Sequence, residues 1–412
     1  MRLAPIQRAL ATRLSHAGCQ VCPTTGALTP AIHPSSTFER DTDLDYPKGF
    51  VYARTANPTR HLLETVLADI ETPLHATPGE ALSFSSGVAA AHALFQSLPN
   101  GHVLLADDVY HGNRNLLTGI FEHWGVKVTT IDMTQLDRVA EALAKNDREN
   151  VVLWAETPSN PLLKVTDIEA VGALCHQFDV PFVVDATWLS CWNLQPLGLG
   201  ADMVVHSTTK YYGGHSDLTG GAIVCSSTCK QSAQKLFDTS KFHQGAVGAV
   251  PSAFDSWLTL RGLRSLSARM DVHSKNAMHV ATFLQSHPKV SQVHYPGLVE
   301  HPGHDIMTRQ SRVRQEAAGG EEGGVGNRSK VNYGGMVSFQ VAGKEKEAIR
   351  VVGGTEIFKR ATSLGGTESL IEHRSSVEGK DTLTPTNLIR LSVGLECTDD
   401  LICDLNTALK SI

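Results

Sequence analysis

Short apolar runs alternate with segments of helical character through the first half of the chain, and this pattern restricts the folds that the chain can adopt. Strand and helix alternation of this kind predicts an α/β fold with a mainly parallel sheet and helices on both faces. In such sheets the functional groups come from the carboxyl ends of the strands. We predict strands at residues 81–85, 102–106, 126–131, 151–155, 181–184, 203–205 and 222–225, with helices such as 136–145 and 167–178 between them.

The segment at residues 203–222, MVVHSTTKYYGGHSDLTGGA, places a lysine at such a strand end. Ser207, Thr209 and Lys210 follow the apolar run, and a glycine-rich loop comes next. A lysine amine forms Schiff bases with carbonyl compounds and becomes nucleophilic when it is desolvated, and the neighbouring hydroxyls can bind a phosphate. The combination suggests pyridoxal 5'-phosphate (PLP), an aldehyde that carries a phosphate, although a Ser-Thr-Thr-Lys run by itself is most often an ordinary polar loop.

Three more polar side chains stand at or shortly after the ends of predicted strands: Tyr110, Asn160 and Asp185. A carboxylate is the group that keeps a pyridine nitrogen protonated and electron-withdrawing. A tyrosine can stack on an aromatic ring and transfer a proton. Taken alone, Asp185 would be a helix cap or a core ion pair and Tyr110 a packed surface tyrosine, so their interpretation depends on the rest of the chain.

Two segments nearer the N-terminus fit a phosphate group. Residues 86–91 start an alanine-rich helix directly after the strand at 81–85, and a helix N-terminus binds anions through its unpaired amides and its dipole. Because no full dinucleotide or nucleoside-triphosphate motif is present, a small phosphate monoester fits better. Tyr52 and Arg54 follow an extended arm rich in Pro and Thr at residues 24–37, and a guanidinium beside a tyrosine suits a phosphate.

Composition and net charge limit the kinds of partner that the protein is expected to bind and the cellular compartment in which it is expected. A net charge of -6 without long basic runs predicts no nucleic-acid partner, and no apolar stretch reaches the length of a membrane span. Eight cysteines in 412 residues do not form a disulfide scaffold. The pairs Cys19/Cys22 and Cys225/Cys229 lack the further ligands of a zinc site, so we predict no metal. We expect a cytoplasmic protein; residues 1–38 lack Asp and Glu, which leaves organelle import as an alternative.

Changes in residue composition and in hydrophobic pattern along the sequence predict three parts of the chain. We predict an N-terminal arm at residues 1–60, a large α/β domain at 61–250 and a smaller α+β domain at 251–412. A helix is expected at 60–70, with Thr59 as a possible N-cap. Residues 311–330, rich in glycine and mixed charges, are predicted to form a flexible loop.

Arg390 stands inside an alternating strand pattern at residues 388–396, LIRLSVGLE. A charged residue in such a pattern must face solvent, a partner or a ligand. In an enzyme that acts on amino acids, the expected ligand of a buried arginine is the substrate carboxylate. If the enzyme acts on a small-molecule amino-acid substrate, we therefore expect Arg390 to contact it.

Ordered matches along nearly the whole chain make the sequence similar to the Cys/Met-metabolism family of PLP-dependent enzymes, which includes cystathionine γ-synthases, cystathionine and methionine lyases, and O-acylhomoserine sulfhydrylases. The resemblance implies a fold type I PLP-dependent transferase with an N-terminal arm, a seven-stranded sheet and a smaller C-terminal domain. The matching stretches are YARTANPT at 52–59, SSGVAA at 85–90, ETPSNP at 156–161, VVDAT at 183–187, HSTTKYYGGHSD at 206–217, SLGGTESLIEH at 363–373 and LIRLSVGLE at 388–396.

The resemblance also implies a role for each candidate residue. Lys210 would be joined to the cofactor's aldehyde as a Schiff base and would transfer protons, Asp185 would pair with the ring nitrogen, and Tyr110 would stack over the ring and assist. The phosphate would be held by Gly87, Val88, Ser207 and Thr209, together with Tyr52 and Arg54 of a neighbouring subunit. The substrate carboxylate would be held by Arg390, Ser363 and Asn160. A homo-oligomer, a dimer of dimers, is therefore expected.

The substrate side of the signature, TSLGGTESLIEHR, resembles that of the γ-synthases and favours γ-replacement on an O-acylhomoserine with a thiol nucleophile. Two alternatives stay open: a carbon–sulfur lyase, and a biosynthetic γ-substitution with a nucleophile other than a thiol. Thr362, just before this motif, stands where members of the family differ. The sequence therefore predicts the cofactor more narrowly than the reaction.

Overall fold

The computed structural model describes residues 8–146, 150–317, 331–378 and 384–412. Its strands are β1 (Glu80–Phe84), β2 (His102–Ala106), β3 (Lys127–Ile131), β4 (Val151–Glu156), β5 (Phe182–Asp185), β6 (Met203–His206), β7 (Gly221–Cys225), β8 (Val290–His294), β9 (Met336–Val341), β10 (Lys359–Arg360), β11 (Leu370–His373) and β12 (Leu388–Ser392). Its α-helices are α1 (Leu10–Ser15), α2 (Pro58–Glu71), α3 (Gly87–Gln96), α4 (His111–Leu116), α5 (Leu136–Ala144), α6 (Ile168–Gln177), α7 (Ser190–Asn193), α8 (Gln231–Val247), α9 (Ala253–Leu263), α10 (Leu266–Ser286), α11 (His304–Ala317), α12 (Glu345–Gly353), α13 (Arg374–Glu378) and α14 (Thr398–Leu409). Within these ranges no helix has both the length and the apolar character needed to cross a membrane.

The larger sheet has seven strands in the order β1-β7-β6-β5-β4-β2-β3. Strands β2 to β6 pair in parallel, whereas β7 runs antiparallel to both of its neighbours, β6 and β1. The prediction of a mainly parallel, seven-stranded sheet is confirmed, and each predicted strand lies within a residue or two of an observed one. The carboxyl ends of β4, β5 and β6 consequently lie side by side at one edge of the sheet.

Both faces of this sheet are buried along its inner strands, whereas β3 at its edge is mostly exposed or half-buried. Alternate residues of a strand point to opposite faces, and here Leu104 and Leu153 belong to one apolar cluster while Val103 and Trp154 belong to the other. Helices cover both faces, as they do in parallel sheets generally. The strands therefore read as continuous apolar runs rather than as alternating ones, and this is why their positions could be predicted.

A second sheet, of five strands, has the order β10-β11-β12-β9-β8. The central strand, β12, pairs antiparallel with β9 and with β11. This sheet contacts the loop that follows β4, because Ser338 Oγ donates a hydrogen bond to the carbonyl oxygen of Pro161 at 2.7 Å. As a result, β12 and its Arg390 face the carboxyl ends of the larger sheet.

The N-terminal arm is extended, as predicted. Between α1 and α2 the chain forms no helix or strand apart from a single bridge between Thr37 and Tyr52. The arm is fastened to the start of α2, since Asn57 Nδ2 donates to the carbonyl oxygen of His33 at 2.8 Å. The extended part of the arm therefore lies on the surface of the larger domain, whereas Leu10 and Leu14 of α1 pack into its core.

Two local predictions were wrong. The N-cap of α2 is Asn57, whose side chain accepts hydrogen bonds from the amides of Thr59 at 2.9 Å and Arg60 at 3.2 Å, and not Thr59. Pro58 suits the first helical position, so the cap falls on the residue before it. The prediction of a loop at 311–330 is wrong for residues 311–317, which belong to α11. Residues 311–317 contain no glycine; residues 318–330 lie outside the described part of the chain.

Candidate active site

A cavity of about 230 Å³ lies where the carboxyl ends of the larger sheet's strands face β12. Its walls come from the first turn of α3, from the segments at the ends of β4, β5 and β6, and from the segment between β10 and β11. The cavity is thus at the edge of the sheet where the sequence predicts a site. The predicted residues that line it are Gly87, Val88, Tyr110, Asn160, Asp185, Ser207, Thr209, Lys210, Ser363 and Arg390.

Lys210 lies in the turn that follows β6. Its Nζ donates a hydrogen bond to Ser363 Oγ at 2.6 Å, and its backbone amide donates to the carbonyl oxygen of Ser207 at 3.1 Å. Burial, and after it the positive charge of Arg390, lowers the pKa of Lys210 to about 8. A lysine with such a pKa has an appreciable neutral fraction near neutral pH, and the neutral amine is the nucleophilic form.

This pKa predicts how Lys210 should react in the protein stripped of its cofactor. Acetylation by acetic anhydride, followed by mass spectrometry of the Lys210 peptide, should rise with pH through a midpoint near 8 rather than near the ordinary lysine value of about 10.4. At pH 7 the neutral fraction should exceed that of an ordinary lysine on the order of 10²-fold. The exposed Lys145 provides an internal reference for reagent concentration. A midpoint near the ordinary value would contradict the lowered pKa.

Two carboxylates lie side by side at the ends of β4 and β5, where Glu156 and Asp185 are partners in the parallel register. Asp185 Oδ1 accepts hydrogen bonds from the amide of Thr187 at 3.0 Å and from its hydroxyl at 2.6 Å, so Oδ2 can accept from a group in the cavity. Burial raises the pKa of both carboxyl groups, and the charge of Asp185 adds to the rise in the pKa of Glu156. A cation in the cavity would stabilise both carboxylates.

The N-terminus of α3 packs against the turn that follows β6. Gly87 and Val88 are the first two residues of this helix, so their amides have no intrahelical acceptor. A Cβ atom at position 87 would lie 2.8 Å from the Cβ of Ser207, so a larger residue would push the helix away. The Thr209 hydroxyl lies beside them and exchanges hydrogen bonds with the backbone of Gly220 at 3.0 and 3.2 Å. Amides and hydroxyls thus converge at this end of the cavity.

Tyr110 lies at the mouth of the cavity, 37% exposed. Its backbone amide donates to Glu156 Oε2 at 2.7 Å, which fixes the start of α4 relative to β4. The ring packs over Gly112, where any Cβ atom would overlap it, and its edge meets the ring of His111 at a centroid distance of 4.8 Å. The tyrosine is therefore positioned by its backbone and by its neighbours while its ring stays accessible from the cavity.

Arg390 is 4% exposed and joins the two sides of the cavity. Its Nη1 donates to Asn160 Oδ1 at 3.1 Å and its Nη2 donates to the carbonyl oxygen of Ser363 at 3.2 Å. Its guanidinium carbon also lies 5.9 Å from the centroid of a Trp188 ring. Ser363 has a φ of 91°, in the region that favours glycine, and strain of this kind is characteristic of functional sites. The structure thus brings Asn160, Ser363 and Arg390 together.

Sequence reasoning missed several polar residues of the site. Glu156 closes β4 as Asp185 closes β5, so the same strand-end argument would have found it. His111 and Thr187 gave no signal beyond their proximity to Tyr110 and Asp185. Glu372 lies within a matched stretch and Arg374 directly after it. Their position beside Arg390 depends on the pairing of β11 with β12, which the sequence does not reveal. Their bonds are described below.

Tyr52 and Arg54, by contrast, do not line the cavity of their own chain. Tyr52 is 48% exposed. The guanidinium of Arg54 donates to the carbonyl oxygens of Gly245 and Ala246 at the end of α8. Within a single chain, therefore, these two predicted phosphate ligands stay outside the group of residues that the structure assembles around Lys210.

A larger cleft, of about 680 Å³, lies elsewhere, between the loop after β4 and the strand β8. Lys164, in its wall, forms ion pairs with Asp107 at 2.7 Å and Asp132 at 3.5 Å, so its amine is engaged. The cleft contains none of the predicted site residues. The smaller cavity around Lys210 is consequently the candidate active site, despite its size.

Comparison with known proteins identifies the family. The family model described as Cys/Met metabolism PLP-dependent enzyme matches residues 11–317 and 322–410. The chain belongs to this family. It is similar to a cystathionine gamma-synthase of Mycobacterium leprae, with 42% identity over 97% of this chain and 97% of the relative. It is also similar to a cystathionine beta-lyase of Lactococcus lactis, with 37% identity over 97% of this chain and 98% of the relative.

Among solved structures, a cystathionine gamma synthase from Xanthomonas oryzae pv. oryzae, in complex with aminoacrylate and cysteine, matches with a TM-score of 0.85 and 34% identity, covering 97% of each chain. The predicted fold type I architecture of a PLP-dependent enzyme is thereby confirmed. This member of the Cys/Met metabolism family is a PLP-dependent enzyme of trans-sulfuration, and both synthases and lyases are among its relatives.

The cavity of this family member fits PLP. Asp185 Oδ1 accepts two hydrogen bonds from Thr187, which leaves Oδ2 for a donor in the cavity, and a protonated pyridine nitrogen is such a donor. The amides of Gly87 and Val88 with the Ser207 hydroxyl offer donors to a phosphate. Lys210, with its lowered pKa, offers a nucleophilic amine to an aldehyde. Each of the three functional groups of the cofactor therefore has a matching group in the cavity.

Proposed function

We propose that this enzyme catalyses γ-replacement on an O-acylhomoserine, with a thiol such as cysteine as the nucleophile. The observation that carries the proposal is that Lys210 Nζ and the guanidinium of Arg390 both bond to Ser363. A carboxylate held by Arg390 would bring the α-carbon of an amino acid close to the lysine amine. Similarity to the cystathionine gamma-synthases favours the replacement reaction among those that start from such a complex.

In this proposal the residues of the chain bind the substrate and move protons. Arg390, Asn160 and Ser363 hold the α-carboxylate. PLP, when bound, supplies the electron withdrawal that makes protons on the α and β carbons acidic. Lys210 Nζ accepts the α-proton and then a β-proton, with Tyr110 as the second proton-transfer group. The acyl group leaves Cγ as a carboxylate, and the thiol loses its proton and forms the new C–S bond at the same carbon. The same two groups then return a proton to Cβ and a proton to Cα, so the hydrogens removed earlier are restored in the product.

A substrate panel tests this function. The purified enzyme would be given O-acetylhomoserine, O-succinylhomoserine, cystathionine or methionine, each with and without cysteine, and the products read by mass spectrometry and by keto-acid release. We expect a thioether product from an O-acylhomoserine only when cysteine is present. Keto-acid release from cystathionine or methionine, with no thioether formed, would instead identify a lyase.

A carbon–sulfur lyase is the second candidate function, and the residue at position 362 supports it. Thr362 lines the cavity beside Ser363, at a position where family members differ. A neutral, short side chain there supplies no charge to orient a thiol or an ammonium group of a second substrate. If the enzyme is a lyase, water rather than a thiol completes the reaction and the added cysteine should leave the product unchanged.

Replacing Arg390 tests the substrate carboxylate site. Arg390→Ala removes charge-assisted hydrogen bonds, so substrate affinity should fall by about tenfold to a hundredfold, while the variant should retain its cofactor absorbance. Steady-state kinetics with the active substrate of the panel, together with absorbance spectra, would measure both. Arg309→Ala is the matched control, since Arg309 pairs with Asp167 outside the cavity and should keep wild-type affinity. Unchanged affinity in Arg390→Ala would reject this site.

We also propose that the enzyme is a homo-oligomer, a dimer of dimers, in which Tyr52 and Arg54 of one subunit complete the phosphate site of another. Their distance from the cavity of their own chain supports this arrangement. So do large apolar side chains that are exposed on the arm and on α8, such as Leu44 at 67% and Phe242 at 70%, because a subunit interface would bury them. The absence of disulfides among the eight cysteines supports a reducing, cytoplasmic compartment.

A further inference from the structure

A cluster of four buried or partly buried charges lies beside the substrate cavity. We call it the Glu372 cluster; it consists of Glu372, Arg374, Glu378 and Arg390. Arg374 Nη1 donates to Glu372 Oε2 at 2.6 Å, and Arg390 Nη2 donates to the same oxygen at 2.7 Å. Arg374 Nη2 donates to Glu378 Oε1 at 2.7 Å. One carboxylate oxygen is therefore shared by two guanidinium groups.

Arg374 belongs to the cavity as well as to the cluster. It is 1% exposed and lines the cavity wall. Its Nη2 also lies 3.3 Å from Nδ1 of His111, the neighbour of Tyr110. Its Nε and the second carboxylate oxygen of Glu372 are buried without a hydrogen-bond partner. A buried guanidinium in this place influences any anion that enters the cavity.

The charge balance of the cluster explains what Arg374 does. Two guanidinium groups and two carboxylates balance, so the cluster as a whole does not oppose an incoming carboxylate. Without the charge of Arg374, two carboxylates would face the single guanidinium of Arg390. The excess negative charge, in a buried site where charges are screened little, would repel the carboxylate of a substrate.

Arg374 also shares the carboxylate of Glu372 with Arg390. Three N–H groups of Arg390 are already used by Asn160, Ser363 and Glu372, out of five that an arginine carries. Because Glu372 Oε2 bonds to both arginines, its negative charge offsets only part of the positive charge of Arg390. Arg390 thus keeps positive charge and free donors for a ligand.

We propose that Arg374 is a positioning residue for substrate binding, which neutralises Glu372 and Glu378 so that Arg390 can bind the α-carboxylate of an amino acid. The inference rests on the proposed role of Arg390. It assigns Arg374 no contact with the reacting atoms. It predicts a selective effect on ligands that carry an α-carboxylate and little effect on matched ligands that do not.

Calorimetric titration of the holoenzyme tests this prediction. The probes are L-norvaline, which has no leaving group, and L-norvalinamide, which lacks the carboxylate. Arg374→Gln should raise the Kd for norvaline by about tenfold and change the Kd for the amide by less than about twofold. Arg374→Lys, which keeps the charge, should stay within about threefold of wild type. Arg309→Gln, in an ion pair with Asp167 outside the cavity, is the matched control and should behave as wild type.

Charge compensation separates this role from a merely structural one. Glu378 bonds to Arg374 and to Thr384. Changing it in the Arg374→Gln background, as Arg374→Gln/Glu378→Gln, restores the balance and should bring norvaline affinity back to within about threefold of wild type. If Arg374→Gln does not fold, Glu378→Gln alone still tests the inference, since it leaves the cluster positive and should tighten norvaline binding severalfold.

Several results would overturn the inference. Arg374→Gln could weaken both probes equally, the double variant could fail to recover affinity, or Glu378→Gln could leave norvaline binding unchanged. Arg390→Ala, titrated in parallel, separates the positioning role of Arg374 from the carboxylate site at Arg390. If it weakens norvaline binding and Arg374→Gln does not, only the role of Arg374 falls. If Arg390→Ala has no effect, the carboxylate site is assigned wrongly and the role of Arg374 falls with it.

Discussion

Lys210→Ala should reduce turnover by at least about a thousandfold, because it removes both the amine that anchors the cofactor and the group that moves the substrate's protons. Borohydride reduction of the yellow wild-type enzyme should fix the cofactor on the peptide that contains Lys210, as read by mass spectrometry. The variant should release its cofactor on denaturation after the same treatment. Turnover, absorbance and peptide mass together measure this expected result.

The control for this experiment is another lysine of the same chain. Lys145 is exposed and pairs with Glu141 one helical turn away, at 2.5 Å, so Lys145→Ala should keep wild-type activity and the same labelled peptide. Labelling of a lysine other than Lys210 after borohydride treatment would overturn the assignment. Full loss of activity in Lys210→Ala with the cofactor still covalently bound would do the same.

Hybrid oligomers of two inactive variants should recover activity. Arg54→Ala chains still supply Lys210 to a site, and Lys210→Ala chains still supply Arg54 to a neighbour. Each variant alone should be impaired, but a dimer with one chain of each kind has one site with both native residues, so it should reach about half of wild-type activity. Co-expression of the two chains with different tags, followed by isolation of the doubly tagged species, allows the measurement.

Two reference species make this result interpretable. Doubly tagged oligomers of Lys210→Ala alone set the lower limit, and hybrids of Lys210→Ala with wild-type chains set the upper one. Activity of the mixed variants at no more than the average of their parents would show that Arg54 acts within its own subunit. That outcome would agree with its hydrogen bonds to Gly245 and Ala246 of the same chain and would reject a shared site.

Local chemistry explains which features could be predicted from the sequence. The five strands β2, β4, β5, β6 and β7 are largely buried and apolar, and together with the more polar β1 and β3 they were found within a residue or two. Lys210 and Asp185 were found because the carboxyl ends of parallel strands expose polar groups to a crevice. The strand and the helix start at Gly87 were found because a strand followed by small residues and a helix has a recognisable pattern, and the anion site there stays a prediction.

Local patterns also set the limits of prediction. The cap of α2 was misassigned by two residues, since Asn57 and Thr59 are both good N-cap residues and only the position of Pro58 separates them. Residues 311–317 were assigned to a loop although they are helical, because mixed charges occur in exposed helices as well as in loops. Such boundaries depend on one or two residues, and a composition argument does not reach that precision.

The sequence by itself determined the α/β class of this protein, the polar residues that follow its strands and the lysine around which the site forms. Each of these follows from a short segment whose chemistry is local. Only the tertiary structure decided which distant groups meet. Arg390 and Glu372 are opposite each other because β11 pairs antiparallel with β12, and Arg374 then bonds to the same carboxylate oxygen. Contacts between residues far apart in the chain are set by strand register and domain packing, which no local pattern encodes.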